Sequence, residues 1–154
     1  GGGIWWNTNN TYKASCVNFP AAIAAHLLYL ALGDSSYETK SQAIYSWGKS
    51  NLFESSTGKV YDGKNSDGSV STASYSYNQG TFAGAAYYLG EGSTVGWQSL
   101  DWQKNSSGST LPVYGSTGDG AGFNGIFLRW AAKAGWDRIA GVRNAWRGAT
   151  APAW

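Results

Sequence analysis

The chain has 154 residues and a formal net charge of +2, enough for about one domain. Its eleven Lys and Arg are scattered without a basic run, which argues against a nucleic-acid or anionic-membrane surface. Only 13% of the residues are charged, yet there are nine Trp and ten Tyr; this excess of flat rings reads either as a Trp-rich helical core or as platforms for the apolar faces of sugars.

In chain order, Gly1-Gly2-Gly3 cannot form a helix interior. The stretch to Tyr12 therefore reads as an exposed loop carrying Trp5 and Trp6. Phe19, Ile23, His26, Leu27 and Leu30 recur at steps of three and four and predict a helix over residues 14–32, with the regular turns beginning near Asn18 because of Pro20. Gly33 ends it, and Asp34 or Ser35 caps a second helix over 36–53. Residues 54–76 read as a long loop with short extended pieces at 59–61 and 75–77. Tyr77-Asn78-Gln79-Gly80 opens a third helix running to Gly90, and a fourth is expected over 95–104. A Gly- and Ser-rich loop over 105–122 precedes a fifth helix at 124–134 and a sixth at 136–146. The pattern is three helical hairpins at a spacing of roughly 50 residues, units that must stack or close into a ring to bury their apolar faces.

The remaining chemistry is sparse. Cys16 has no partner for a disulfide and sits in an apolar stretch, which reads as a buried thiol. His26 lies at helical spacing among apolar residues and reads as a core or interface histidine. One His and one Cys give no support to a metal site or to a Ser-His-Asp triad, and no cofactor is implied. No uninterrupted hydrophobic run reaches the ~18 residues of a membrane span. Met is absent even at position 1, so the N-terminus given is not expected to be the start of translation. Asn9-Asn10-Thr11 and Asn105-Ser106-Ser107 are glycosylation triplets.

Five stretches occur in one order: Gly2-Gly3-Ile4-Trp5-Trp6; Lys13 with Asn18; Val60-Tyr61-Asp62-Gly63; Tyr75-Ser76-Tyr77-Asn78-Gln79-Gly80-Thr81; and Gly125-Ile126-Phe127-Leu128-Arg129. Together they resemble glycoside hydrolase family 76, the endo-α-1,6-mannanases and related fungal cell-wall proteins, over about residues 1–148. The resemblance implies an all-α fold, an (α/α)6 barrel with a glycan groove at one end, of which residues 1–154 form about half as a partial domain without its N-terminal part. It also implies a catalytic pair of consecutive aspartates upstream of the Gly-Gly-Ile-Trp-Trp loop. The nine carboxylates of this chain include no adjacent pair. A retaining glycosidase needs two carboxyls about 5–5.5 Å apart, one to attack and one to protonate the leaving group. No catalytic residue is therefore assigned here, and the chain alone is expected to be inactive. With half a barrel, an exposed apolar patch and self-association are expected.

The candidate substrate contacts are Trp5, Trp6, Asp62, Tyr77, Asn78 and Gln79. Each has a bland alternative. The tryptophans could plug the barrel mouth, Asp62-Gly63 could be an ordinary turn, and Asn78 could cap a helix. Gly80 is expected to permit a close backbone approach. Lys13 reads as a solvated side chain or a family position, and Arg129 as an anchor to a carboxylate. Asn124 departs from the Lys usual before Gly-Ile-Phe. The expected activity is hydrolysis of α-1,6-mannan by a secreted or cell-surface protein whose partner is the polysaccharide. The alternatives are a cell-wall glycan transglycosidase and a non-catalytic mannan-binding protein.

Overall fold

The computed structural model describes residues 2–108, 111–115 and 117–136. Its frame is helical. Strand β1 (Tyr12–Ala14) leads into α1 (Ser15–Leu32), and α2 (Ser35–Leu52) returns alongside it. Strands β2 (Gly63–Asn65) and β3 (Val70–Ser71) lie in the following loop. Then come α3 (Ser76–Tyr88), a wide π turn over Gly92–Gly96, α4 (Trp97–Ser106) and α5 (Gly120–Lys133). The expected sixth helix lies outside the described residues. The first two hairpins, α1 with α2 and α3 with α4, form where the periodicity places them.

The ends of the first pair follow from capping chemistry. Gly33 adopts φ +71°, and its N–H donates to Tyr29 O at 2.8 Å. The Asp34 carboxylate then accepts from the Ser36 N–H at 2.9 Å, satisfying a free donor of α2. The first helix starts at Ser15, not near Asn18: Pro20 sits in its second turn, at the cost of the N–H that would bond the Cys16 carbonyl. The Ser15 N–H finds the Asp62 carbonyl at 2.7 Å, so a distant loop completes this helix end.

The three short strands form an antiparallel sheet in the order β1-β2-β3, with Tyr12 opposite Asn65, Lys13 opposite Lys64 and Ala14 opposite Gly63. The extended pieces expected at 59–61 and 75–77 are displaced: Val60 makes only an isolated bridge to Phe53, and Ser76 and Tyr77 already belong to α3.

The central helix is α3, packed between α1 and α5, with residues 78–86 all buried. Gly80 fixes one of these crossings, since a Cβ there would lie 2.6 Å from Phe127 Cα. The core on the α1 side joins Phe19, Ile23, Tyr45, Leu52, Val60 and Phe82; that on the α5 side joins Leu100, Leu111, Phe127, Ala131 and Trp136. Phe82 stacks on Phe53 at 4.5 Å and meets the edge of Phe19 at 5.1 Å. Removing one such ring costs about 3–5 kcal/mol.

Several sequence expectations resolve here. His26 packs against Tyr88 of α3 at 5.5 Å, an interhelical position. Arg129 lies over the Trp130 ring at 5.1 Å, and among the described residues it has no carboxylate partner of the kind expected of it. Helix α1 is 18 residues long with mean hydropathy 1.5, so by length and composition it could cross a membrane; scattered polar residues had broken the run without lowering its average. Its Phe19, Ala22 and Ile23 face is core, while Leu27, Leu28, Leu30 and Leu32 are exposed.

Candidate functional site

The Gly-rich loop is held from below by Asn18, a fully buried residue of α1. Its Oδ1 accepts from the Ile4 N–H at 2.7 Å, and its Nδ2 donates to the carbonyls of Ile4 at 3.0 Å and Ala14 at 2.8 Å. The Trp6 N–H adds a bond to Tyr12 O at 2.7 Å. Gly3 lets the loop lie flat on α2: it has φ +68°, and a Cβ there would lie 2.5 Å from the Trp47 ring. The loop is thus fixed at both edges.

Trp5 and Trp6, consecutive in sequence, line different cavities. Trp6 is 55% exposed and borders a cleft of about 460 Å³ with Cys16, Tyr77, Asp119, Phe123 and Ile126. Trp5 turns to the other side, toward Lys13 and Trp47. Behind the first cleft, Tyr75 and Tyr77 stack at 5.6 Å, and Phe123 meets Tyr77 edge-on at 4.4 Å. Tyr114 closes the group, its ring 5.1 Å from Phe123 and its hydroxyl accepting from the Ser76 N–H at 2.9 Å. Asn124 ties this wall together: it accepts from Ser76 Oγ at 2.7 Å and donates to Pro112 O at 2.8 Å. Part of the aromatic excess therefore lines a surface cleft. Others are core, as with Trp136, which is buried and donates its indole N–H to Asp101 at 3.0 Å.

Asp62 stands one hydrogen bond behind that wall. Its Oδ2 accepts from Tyr12 OH at 2.7 Å; its Oδ1 accepts from Tyr77 OH at 3.0 Å and Asn78 Nδ2 at 3.2 Å. Its backbone is locked as well, the N–H donating to Ala73 O at 2.9 Å and the carbonyl serving Ser15. Burial first, and the Asp62 carboxylate second, push both the Tyr12 and Tyr77 phenols well above the usual tyrosine range, so both remain hydrogen-bond donors. Burial and the same carboxylate push the Cys16 thiol up to about 11. Cys16 is half-buried at the cleft wall, not enclosed as the sequence suggested.

Asn78 and Gln79 are both fully buried. Asn78 sits in the first turn of α3, where its Oδ1 accepts from the Tyr75 N–H at 3.1 Å and its Nδ2 donates to Ser15 Oγ as well as to Asp62. Gln79 spans the preceding loop. Its Oε1 accepts from the Val60 N–H at 3.1 Å, and its Nε2 donates to Val60 O at 3.1 Å and Ser74 Oγ at 2.5 Å. The structure thus brings Trp6 and Tyr77 to one cleft, sets Trp5 apart, and places Asp62, Asn78 and Gln79 behind the wall. Tyr12, Asn18, Phe123 and Asp119 complete the site; of these, only Asn18 stood in a motif noticed in the sequence.

The profile of Glycosyl hydrolase family 76 matches residues 1–110. No curated protein matches the chain. Among solved structures, an inactive variant of the α-1,6-mannanase of Salegentibacter sp. HEL1_6, in complex with α-1,6-mannotetrose, is 30% identical with a TM-score of 0.81; the match covers 92% of this chain and 48% of that one. Two consecutive aspartates are replaced by alanine in that variant. A Listeria innocua protein is 27% identical with a TM-score of 0.79, over 87% of this chain and 42% of that one. A family 76 glycoside hydrolase from a bovine Bacteroides thetaiotaomicron strain shares the fold at 22% identity and a TM-score of 0.74, over 94% and 36%. The chain spans about half the length, or less, of these structures.

Proposed function

Because the chain belongs to glycosyl hydrolase family 76, with an all-α fold matching part of its (α/α)6 barrel, we propose that it forms one side of the glycan groove of an enzyme that cleaves α-1,6-linked mannan. The observation that carries this reading is the cleft of Trp6, Tyr77 and Phe123 above a carboxylate fixed by three donors. Exposed rings offer apolar platforms to sugar faces, and the Tyr77 hydroxyl is aimed by Asp62. Asn78 and Gln79 hold these groups in register from behind. The likeness to a mannanase bound to an α-1,6-mannooligosaccharide supports a mannan as the substrate.

The chemistry assigned to the enzyme is retaining hydrolysis by two carboxyls, one attacking the anomeric carbon and one protonating the departing oxygen. Asp62 does not serve as the acid, because both its oxygens already accept hydrogen bonds. We place the acting pair in a neighbouring segment of the parent polypeptide, by analogy with the consecutive aspartates whose loss inactivates the Salegentibacter enzyme. Residues 1–154 are then a partial domain. Such an enzyme meets mannan outside the membrane, so we place it as secreted or cell-surface.

Incubation with α-1,6-mannan tests this. The parent polypeptide should release mannooligosaccharides, and the 154-residue chain alone should release none. Turnover by the chain alone would overturn the placement of the pair. A parent that binds α-1,6-mannotetraose without cutting it would leave a mannan-binding protein, and transfer to an added acceptor glycan in place of hydrolysis would make it a transglycosidase.

A further inference from the structure

On the other side of the Trp loop, Trp5, Lys13, Trp47, Asn51, Lys64 and Asn65 border a cavity of about 320 Å³. Lys13 and Lys64 lie directly opposite each other in the β1–β2 pair, an arrangement that puts both side chains on one face of the sheet. Like charges at such a position repel. Neither has an acidic partner, since the one ion pair among the described residues is Lys49 with Glu91. Lys13 instead sits 4.3 Å from the Trp5 ring centre and 5.0 Å from that of Trp47 and donates to the Gly2 carbonyl; Lys64 donates to Asn51 Oδ1 at 2.8 Å. Neutral partners orient the two ammonium groups but leave their charge uncompensated.

We propose that this cavity binds a phosphorylated sugar, with the phosphate between Lys13 and Lys64 and the sugar against the Trp5 side of the loop. Two point charges suit a phosphate with several acceptor oxygens, whereas a single carboxylate is better matched by the planar fork of an arginine. Asn51, whose Nδ2 donates to Trp47 O at 2.8 Å while its Oδ1 holds Lys64, fixes the ammonium in place, and the Asn65 side-chain carbonyl at the rim offers an acceptor to a sugar hydroxyl. The sugar half of the assignment rests on the glycan groove proposed above, because Trp5 adjoins Trp6; the anion half stands on the lysine pair. In that setting the phosphate is a substituent of the same mannan.

Calorimetric titration of the full chain with mannose 6-phosphate, mannose, glucuronate and AMP at low salt tests it. Mannose 6-phosphate should bind at least about tenfold more tightly than mannose, the effect of one strong charge-assisted contact. Lys64→Gln, at a half-exposed position, should erase that preference, with circular dichroism confirming an intact helical fold. Equal affinity for the two sugars, tighter binding of glucuronate, or an unchanged preference in Lys64→Gln would each overturn the proposal, and tighter binding of AMP would overturn its placement on the mannan. Neutral α-1,6-mannotetraose, titrated in parallel, separates the two readings: if it binds while mannose 6-phosphate gains nothing over mannose, the phosphate site fails and the groove stands.

Discussion

The Tyr77 hydroxyl donates to Asp62 Oδ1 across 3.0 Å, joining the first turn of α3 to the loop that also receives the N-terminus of α1. Two further donors converge on the same carboxylate, so Asp62 organises three elements at once. Asp62→Ala should cost about 3 kcal/mol in denaturant unfolding, since it also takes the acceptor from Tyr12 OH and one of the two acceptors from Asn78 Nδ2, which keeps Ser15 Oγ. Tyr77→Phe keeps the ring stacked on Tyr75 and should cost about 1 kcal/mol while weakening α-1,6-mannotetraose binding. Equal stability losses in the two variants would show that Asp62 serves Tyr77 alone.

Gly80 sets how closely α3 and α5 approach. The nearest obstacle to an added Cβ is the Phe127 backbone, 2.6 Å away, and a backbone cannot rotate aside as a flexible side chain can. Gly80→Ala should therefore destabilise the chain by about 2 kcal/mol, although alanine is the better helix former. Thermal melts decide this; a stability equal to or above that of the parent chain would mean that the helices separate at little cost.

Gln79 looked in the sequence like part of a polar, sugar-facing run, and in the structure its amide bridges Val60 and Ser74. Gln79→Leu fills a similar volume but leaves the buried Val60 N–H without an acceptor. A loss of about 2–3 kcal/mol is expected in denaturant melts. Mannotetraose affinity of the folded fraction, measured by calorimetry, should change far less than in Tyr77→Phe.

Helix order was legible because long amphipathic segments carry their own periodicity: the 14–32 and 36–53 readings fall within a residue or so of Ser15–Leu32 and Ser35–Leu52. The sheet was not. Strands of two or three residues show no alternation, and Tyr12–Ala14 finds its partner about 50 residues away at Gly63–Asn65. The site was half legible. Trp5-Trp6 and Asp62 stood out by type, but sequence does not tell which side of a loop each indole takes. The capping reading of Asn78 was legible and holds, its Oδ1 accepting from the Tyr75 N–H, but the burial of Asn78 and Gln79 was not, because a polar run at a helix start reads alike whether it faces solvent or a buried loop. Lys13 and Lys64 looked like scattered charges because only strand pairing brings them together.

Cys16 borders the cleft, yet burial raises its thiol from an ordinary value of 9.0 to about 11. The thiolate is the reactive form, and a thiol held near 11 carries about a hundredfold less of it at pH 8 than one at 9.0. Because a more basic thiolate is also the better nucleophile, iodoacetamide should alkylate Cys16 of the folded chain about tenfold more slowly than in the urea-unfolded chain at pH 8, with the ratio narrowing above pH 10. A rate near that of the unfolded chain would mean that the site is far wetter than its walls indicate.

Glu91 connects the π turn to α2, accepting from Tyr45 OH at 2.5 Å and from Lys49 Nζ at 2.7 and 2.9 Å. Burial pushes its carboxyl up, but the Lys49 and Tyr45 hydrogen bonds outweigh that and leave it below its usual 4.5. A carboxyl depressed by folding stabilises the fold fully above its unfolded value, and that contribution disappears as pH falls through the folded one. Because the pair is about one-third exposed, its worth is discounted to about 1 kcal/mol. Glu91→Gln should therefore lower stability by about that amount at pH 7, and the gap to the parent chain should close as the pH falls through the depressed Glu91 carboxyl. Urea melts across pH 3–7 measure it directly; a gap that persists at the acid end would assign the effect to the Tyr45 hydrogen bond and packing, not to the Glu91 charge.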